Sequence, residues 1–356
     1  MDDLDALADR FARFAARECA KSPLYEALAR GTSGDHELLE LAAQGRSGPK
    51  PNLFLAAVHY LLLAGADHSL AAYYASRTAV PLPPEGAWCH FARFCRQHAD
   101  QISALLATRR VQTNEVARAA YLLPAWGLVA GHAPDRPLAL VEVGTSAGLL
   151  LFWDRYAYDY DTGAIHGDAD SPARLHCALH GPGRPPFPAR LPTVVARVGI
   201  DMNPIDLRDP DARLWLRALV WPDQPQRADR LERAAALVAA ESPTLMAGDA
   251  LDLLPAALAG LPADALVVVF HSHALNQFAP ADRERFLGLV AQQSQRRDIW
   301  LVSLEGPNAM PMPSRTPSPD FDAEMWVTRF TAGQVAEQRL WARYDAHGEW
   351  LRWAAT

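Results

Sequence analysis

Two stretches of the chain set residue types at spacings that chemistry can use. In "LVEVGTSAGLL" (140–150) an apolar run reaches Glu142 and then two glycines four apart, Gly144 and Gly148, with Ser146 between them. Such a run reads as a strand that turns tightly around a bound ligand. Gly144 permits the turn and Gly148 lets the backbone come close. A helix expected from about Ser146 would offer free N–H groups. In "VVVFHSHALNQF" (267–278) His271 and His273 close another apolar run. Two residues apart on a strand, they share a face, and an imidazole titrating near neutrality can take a proton. Glu305, ending "IWLVSLEG" (299–306), is a second candidate base or an acceptor-binding carboxylate. Asn276 lies three residues beyond His273, placed to orient an acceptor or to cap a turn. H-x-H is also half of a metal site, for which Asp249, His166 or His176 would have to supply the rest. No second cluster stands at ligand spacing, and no metal is expected.

Spacing narrows the ligand. A dinucleotide loop needs G-x-G-x-x-G, hence glycine at 146 and 149, where the chain has Ser146 and Leu149. A P-loop needs a GK[ST] ending, and this loop has no lysine. The pattern present is E-x-G-x-S-x-G.

These groups need a frame to hold them. Five apolar runs of strand length follow residue 137: 138–143, 194–201, 243–249, 265–273 and 299–306. Helical stretches such as "DPDARLWLRALVW" and "PADRERFLGLVAQQSQ" lie between several of them. Apolar strands alternating with helices predict a mostly parallel sheet covered on both faces, an α/β domain over 137–356. "AEQRLWARYDAHGEWLRWA" alternates around a "DAHGE" turn and predicts a C-terminal antiparallel hairpin. Residues 158–192 break the alternation and read as an inserted hairpin plus loop, and 306–322 as a Pro-rich loop. Residues 1–130 read as an all-helical N-terminal domain, with helical periodicity in "LDALADRFARFAARECA" and Pro-rich breaks at "SGPKPN" and "VPLPPEG". Gln112, Asn114 and Glu115 fall in a predicted helix just before the first strand, from which Glu115 could reach a substrate.

The E-x-G-x-S-x-G pattern resembles the first motif of class I S-adenosylmethionine-dependent methyltransferases, with Ser146 in place of the middle glycine. The similarity continues in order. "VVARVGIDMNP" ends in Asp201, where the resemblance implies a carboxylate holding the two ribose hydroxyls. If "YAYDYD" is the second strand instead, Asp159 or Asp161 takes that place. Gly248, Asp249 and Ala250 match the element in which an aspartate meets the adenine amino group. The resemblance implies S-adenosylmethionine as cofactor, held by Glu142, Gly144, Ser146, Gly148, Asp201, Asp249 and Ala250. It implies a Rossmann-like methyltransferase fold, a small or medium-sized acceptor, and His271, His273 or Glu305 as base. A non-catalytic module binding the same cofactor or a nucleotide is the alternative. "QTNEVARAAYLLPA", "WDRYAYDY" and "DMNPIDLRDPDARLWLRALVWPDQ" also resemble an uncharacterised bacterial family with a methyltransferase-like core.

Composition sets the outer limits. The chain has 356 residues, 50% of them hydrophobic, enough for a large core. A net charge of −7 with scattered arginines does not suit a phosphate backbone, so no nucleic acid is expected. Four cysteines without a CxxC pair fit reduced thiols. The acidic start "MDDLDALADRF" is unlike a signal peptide, and the apolar "LFLAAVHYLLLAGA" is shorter than a membrane span. The expectation is a cytoplasmic protein with no membrane partner.

Overall fold

The strand "LALVEV" is buried at every position and has parallel neighbours on both edges. An interior strand of a covered parallel sheet has no solvent face, so its sequence is apolar at every position but Glu142 rather than alternating. The computed structural model describes residues 4–46, 48–307, 309–310 and 323–354. Twelve strands fall in that range: β1 (Leu138–Val143), β2 (Ala157–Asp159), β3 (Ile165–Gly167), β4 (Arg174–His176), β5 (Ala178–His180), β6 (Val194–Asp201), β7 (Thr244–Ala247), β8 (Leu266–Ser272), β9 (Ile299–Glu305), β10 (Ala323–Thr331), β11 (Gln334–Tyr344) and β12 (Trp350–Trp353).

The chain divides into two compact units. One comprises the described residues through Thr113 with Arg208–Glu232, and the other comprises Asn114–Leu207 with Arg233 onward. The first unit is helical. The helix Leu4–Arg17 buries Leu7, Phe11 and Phe14, a stripe at four- and three-residue steps. That stripe joins Leu28, Phe54, Leu62, Phe91 and Phe94 in one core. The later helix Pro210–Leu219 belongs to this unit as well. It is capped by Asp209 and started by Pro210, and Trp215 donates its indole N–H to Arg110 O at 2.9 Å. Trp221 packs on Phe14 and Tyr25 as part of the aromatic core.

The second unit is mixed α/β. Its nine-stranded sheet runs β5-β12-β11-β10-β9-β8-β1-β6-β7. From β7 to β9 every pairing is parallel. From β1 the chain builds outward through β6 and β7, then crosses back to add β8 and β9. The strand order therefore reverses beside β1, and in such sheets the crevice lies at the carboxyl ends of the strands. The expected strand positions agree closely with β1, β6, β7, β8 and β9. The predicted C-terminal hairpin is β11–β12, paired Ala342↔Trp353 to Tyr344↔Leu351. A further hairpin, β10–β11, turns on Ala332 and Gly333, both with positive φ (51° and 82°), the backbone of a type I′ turn.

The 158–192 segment forms a hairpin of β2 and β3, with β4 parallel to β2, in a separate three-stranded sheet. β5 then joins the main sheet beside β12. Because β2 lies in the small sheet, the strand beside β1 is β6. Asp159 and Asp161 are therefore not at the end of a main-sheet strand, and Asp161 meets His176 instead, at 3.0 Å. Most of the Pro-rich 306–322 segment lies outside the described residues. No described helix is long and apolar enough to cross a membrane.

The parallel core is filled by Val141, Val267, Val269, Leu301, Phe286 and Val290. Leu301 is fully buried, so Leu301→Ala is expected to cost about 2–5 kcal/mol. Urea unfolding checks this, and an unchanged midpoint would show that the core is packed elsewhere.

Candidate functional site

β1 ends in a turn that a normal L-residue resists. Gly144, Ser146 and Gly148 all have positive φ: 75°, 50° and 72°. A side chain on Gly144 would place its Cβ 2.5 Å from the Cβ of Ala274, so only glycine fits there. Ser146 holds a left-handed conformation that costs a non-glycine residue about 1–2 kcal/mol. Two side chains fix it. Ser146 N–H donates to Asp201 Oδ2 at 2.8 Å, and Ser146 Oγ accepts from Asn114 Nδ2 at 3.0 Å. The other Asp201 oxygen accepts from Asn203 N at 2.7 Å. The carboxylate ending β6 thus braces the turn ending β1.

The helix expected from Ser146 does not form. Leu149–Arg155 is a 3-10 segment, kinked at Phe152. The run Leu149–Trp153 is apolar at every position and buried throughout, so it lacks the polar face that a surface α-helix presents to water. Gln112, Asn114 and Glu115 are likewise not helical, but lie in the connection before a 3-10 turn at Val116–Arg118. Glu115 is buried and caps that turn, accepting from Ala117 N.

Glu142 sits beneath the turn, 2% exposed. Thr145 donates its hydroxyl to Glu142 Oε2 at 2.6 Å. Burial pushes the Glu142 carboxyl up to about 8; the Thr145 hydrogen bond opposes the shift and the Asp201 charge adds to it. At neutral pH this group is mainly an uncharged acid. Asp249 is exposed and caps the helix Ala250–Ala259, its Oδ1 accepting from Leu251 N at 2.8 Å. Ala250 is the first residue of that helix and is buried.

The strand-end residues of β8 and β9 separate into two roles. His271 and Glu305 are 0% and 1% exposed, with His271 Nδ1 2.8 Å from Glu305 Oε1. Glu305 also accepts from the backbone N–H groups of Ala274, Leu275 and Asn276 at 2.8–3.3 Å. Burial pushes the Glu305 carboxyl up, but His271 and the Leu275 amide outweigh it and hold the group below the usual carboxylate range. His271 Nε2 and Ser303 Oγ are buried without a hydrogen-bond partner, and these two residues are paired in the β8–β9 register. Neither His271 nor Glu305 reaches the surface of the unit, so both act as braces for the 273–276 loop.

His273 departs from the strand pattern. Its φ of 53° breaks the alternation, its N–H donates to Leu304 O, and its ring meets Tyr344. Tyr344 packs on Tyr121, whereas His271 packs on Phe286. The expectation that the two histidines share a face therefore fails, because the left-handed residue swings the second one across the sheet. His273 Nε2 lies 3.2 Å from Tyr344 Oη. Burial first, then the Arg118 charge, hold its pKa down at about 4, so the ring is neutral near pH 7. Arg118 is itself buried and donates to Ala346 O, with Ser272 Oγ 3.5 Å away. Asn276 is exposed, its backbone carbonyl taken by Arg283. Among the described residues no group of three His, Cys, Asp or Glu is placed to hold a metal ion.

The sequence places Asn114 only in a predicted helix before the first strand and carries no signal for Arg118. Only the fold puts them beside Ser146 and Ser272.

A family model described as "Uncharacterized protein conserved in bacteria (DUF2332)" matches residues 8–353. No curated protein and no solved structure matches the chain.

The buried Glu142 carboxyl sets a pH test. Its pKa is raised on folding, so its stabilising contribution is complete below about 4.5 and is lost as pH rises through about 8. Glu142→Gln is neutral at every pH. It should gain on the native protein across that window, by about 1.4 kcal/mol per pH unit at most. Urea unfolding at pH 5 to 8 reads the difference (on the order of three pH units apart), and a difference that does not change with pH contradicts the assignment.

Proposed function

We propose that this chain, which belongs to the bacterial family DUF2332, is an S-adenosylmethionine-dependent methyltransferase acting on a small or medium-sized acceptor. The observation that carries this reading is the 2.8 Å hydrogen bond between Ser146 N–H and Asp201 Oδ2. It joins the acidic end of the second parallel strand to the left-handed turn of the first, at the carboxyl end of the sheet. The β7-β6-β1-β8-β9 order supports reading the α/β unit as a Rossmann-like methyltransferase fold. The meander β9-β10-β11 is antiparallel and continues outward from that core.

The residues at the turn fit the cofactor. Asp201 accepts from the Ser146 and Asn203 backbone N–H groups, and a carboxylate is the side chain that can accept from two ribose hydroxyls at once. Asp201 is partly exposed, as such a contact requires. Gly144 and Gly148 themselves add no side chain to the turn, and Ser146 is held by Asn114. Glu142 supports the turn from below through Thr145. Asp249 and Ala250 begin the helix after β7 and would border the adenine.

When bound, S-adenosylmethionine supplies an electrophilic methyl group for in-line displacement. This chain's own task is alignment of the acceptor and removal of its proton. His273 is the strand-end base in this reading, neutral near pH 7 and oriented by Tyr344, while Asn276 orients the acceptor. With a pKa of about 4 it is a weak base, so its contribution belongs at the lower end of the usual range, about 100-fold. His271 and Glu305 act through the loop that carries His273. One observation favours a second reading, a binding module without catalysis: two of the three expected catalytic groups are sealed from solvent.

Calorimetric titration tests the cofactor. S-adenosylmethionine or its demethylated product should bind, and Asp201→Ala should weaken binding about 10- to 100-fold, the loss of charge-assisted hydrogen bonds. Absence of binding, or tighter binding of NAD, would overturn the proposal. For catalysis, His273→Ala should lower kcat about 100-fold. The native rate should be level at neutral pH and fall as pH drops through about 4, where His273 gains its proton. Tight binding with no turnover of any acceptor would identify the binding module.

A further inference from the structure

The helical unit carries a second polar cluster, well away in sequence from the turn of β1. His68 caps the short 3-10 turn Ser69–Tyr73, its Nδ1 accepting from Leu70 N–H at 3.0 Å. A backbone N–H can only donate, so His68 Nδ1 carries no proton. A neutral imidazole must then carry its proton on Nε2. Yet Arg93 Nε, also an obligate donor, lies 3.3 Å from that same Nε2. With the proton there, neither of these two nitrogens can accept from the other, and no protonation state of His68 supplies an acceptor to both Leu70 N–H and Arg93 Nε–H. The charged ring would only add a second donor facing Leu70 N–H.

Among the described residues no carboxylate pairs with Arg93, whose other hydrogen bond goes to a hydroxyl. Arg93 and His90 stand three residues apart on the helix Ala87–Gln97, and so on one face. Arg93 Nη2 donates to Ser69 Oγ at 2.9 Å, and the same hydroxyl meets His90 Nδ1 at 2.7 Å. His98 and His68 pack on the same ring, Phe94. Burial, then Arg93, His90 and His98, lower the His68 pKa, and Asp67 alone among the charges named opposes them. The guanidinium and hydroxyl are exposed and the imidazoles half-buried, so a ligand can reach them.

We infer that His68, Ser69, His90 and Arg93 form a binding site for a small oxyanion, a phosphoryl or carboxylate group. With the exposed Arg93 side chain drawn back to admit it, an anionic oxygen accepts from both His68 Nε2–H and Arg93 Nε–H and replaces the contact with two charge-assisted hydrogen bonds. The site does not depend on the function proposed for the α/β unit.

Imidazole nitrogen NMR on the full chain, labelled at histidine and held at constant ionic strength, tests this. Without added anion, His68 should show the Nε2–H tautomer. Inorganic phosphate should shift its resonances saturably, with a Kd on the order of 1 mM, a level typical of weak specific sites. An acetate titration separates the sources: tighter phosphate binding marks a phosphoryl site, tighter acetate binding a carboxylate site. Arg93→Gln should weaken binding at least tenfold with an unchanged melting temperature, since Arg93 is exposed. Arg30→Gln, an equal change of charge on a neighbouring helix, should leave it within about twofold. An Nδ1–H tautomer, shifts that never saturate, or equal weakening by both variants would overturn the site.

Discussion

Asp201 Oδ2 accepts a hydrogen bond from Ser146 N–H across the gap between two parallel strands, and the geometry at the carboxyl end of the sheet follows from it. The turn after β1 holds three left-handed residues within five positions, two of them glycine. Glycine accepts that shape freely, but serine does not, and a strained residue persists only where its surroundings hold it. Asp201 takes the amide, Asn114 takes the hydroxyl, and the Ser146 carbonyl accepts from Ile205 N–H. β6 must lie beside β1 for this to happen, which fixes where the strand order reverses and where the crevice opens.

The opposite side of the crevice uses the same device. Glu305 gathers three successive backbone amides and an imidazole, so the loop after β8 is held to the end of β9. Anions that collect backbone N–H groups make strong, directional anchors in a low-dielectric interior. The pairing also explains why His271 and Glu305 are sealed. A carboxylate with four donors is an anchor, and exposure to water would weaken it. His273, turned across the sheet by its left-handed backbone, is the member of the group with solvent access. Anchoring and solvent access are thus divided between residues two apart in the chain.

Much of this frame was legible in the chain itself. β1, β6 and β8 are long apolar runs that need no partner to be recognised, and the turn at Gly144 announces itself by spacing. What escaped was non-local. β3, β4 and β5 have three residues each, too few for a period, and exist because neighbours pair with them. The β10–β11 turn uses Ala332 and Gly333, without the Asn-Gly pair that marks such hairpins in sequence. The Leu149–Trp153 run has no helical period, and its 3-10 form follows from burial on all sides. The facing of His271 and His273 depended on one φ angle set by a bond to Leu304. At the site, Asp201 was readable because it ends an apolar run, whereas Asn114 was brought to Ser146 only by the fold.

A crystal structure with S-adenosylhomocysteine tests the central claim most directly. The account predicts ligand density over residues 144–148, with both ribose hydroxyls about 2.6–3.2 Å from the Asp201 carboxylate. Ligand bound elsewhere, or a turn left empty at saturating concentration, would contradict it.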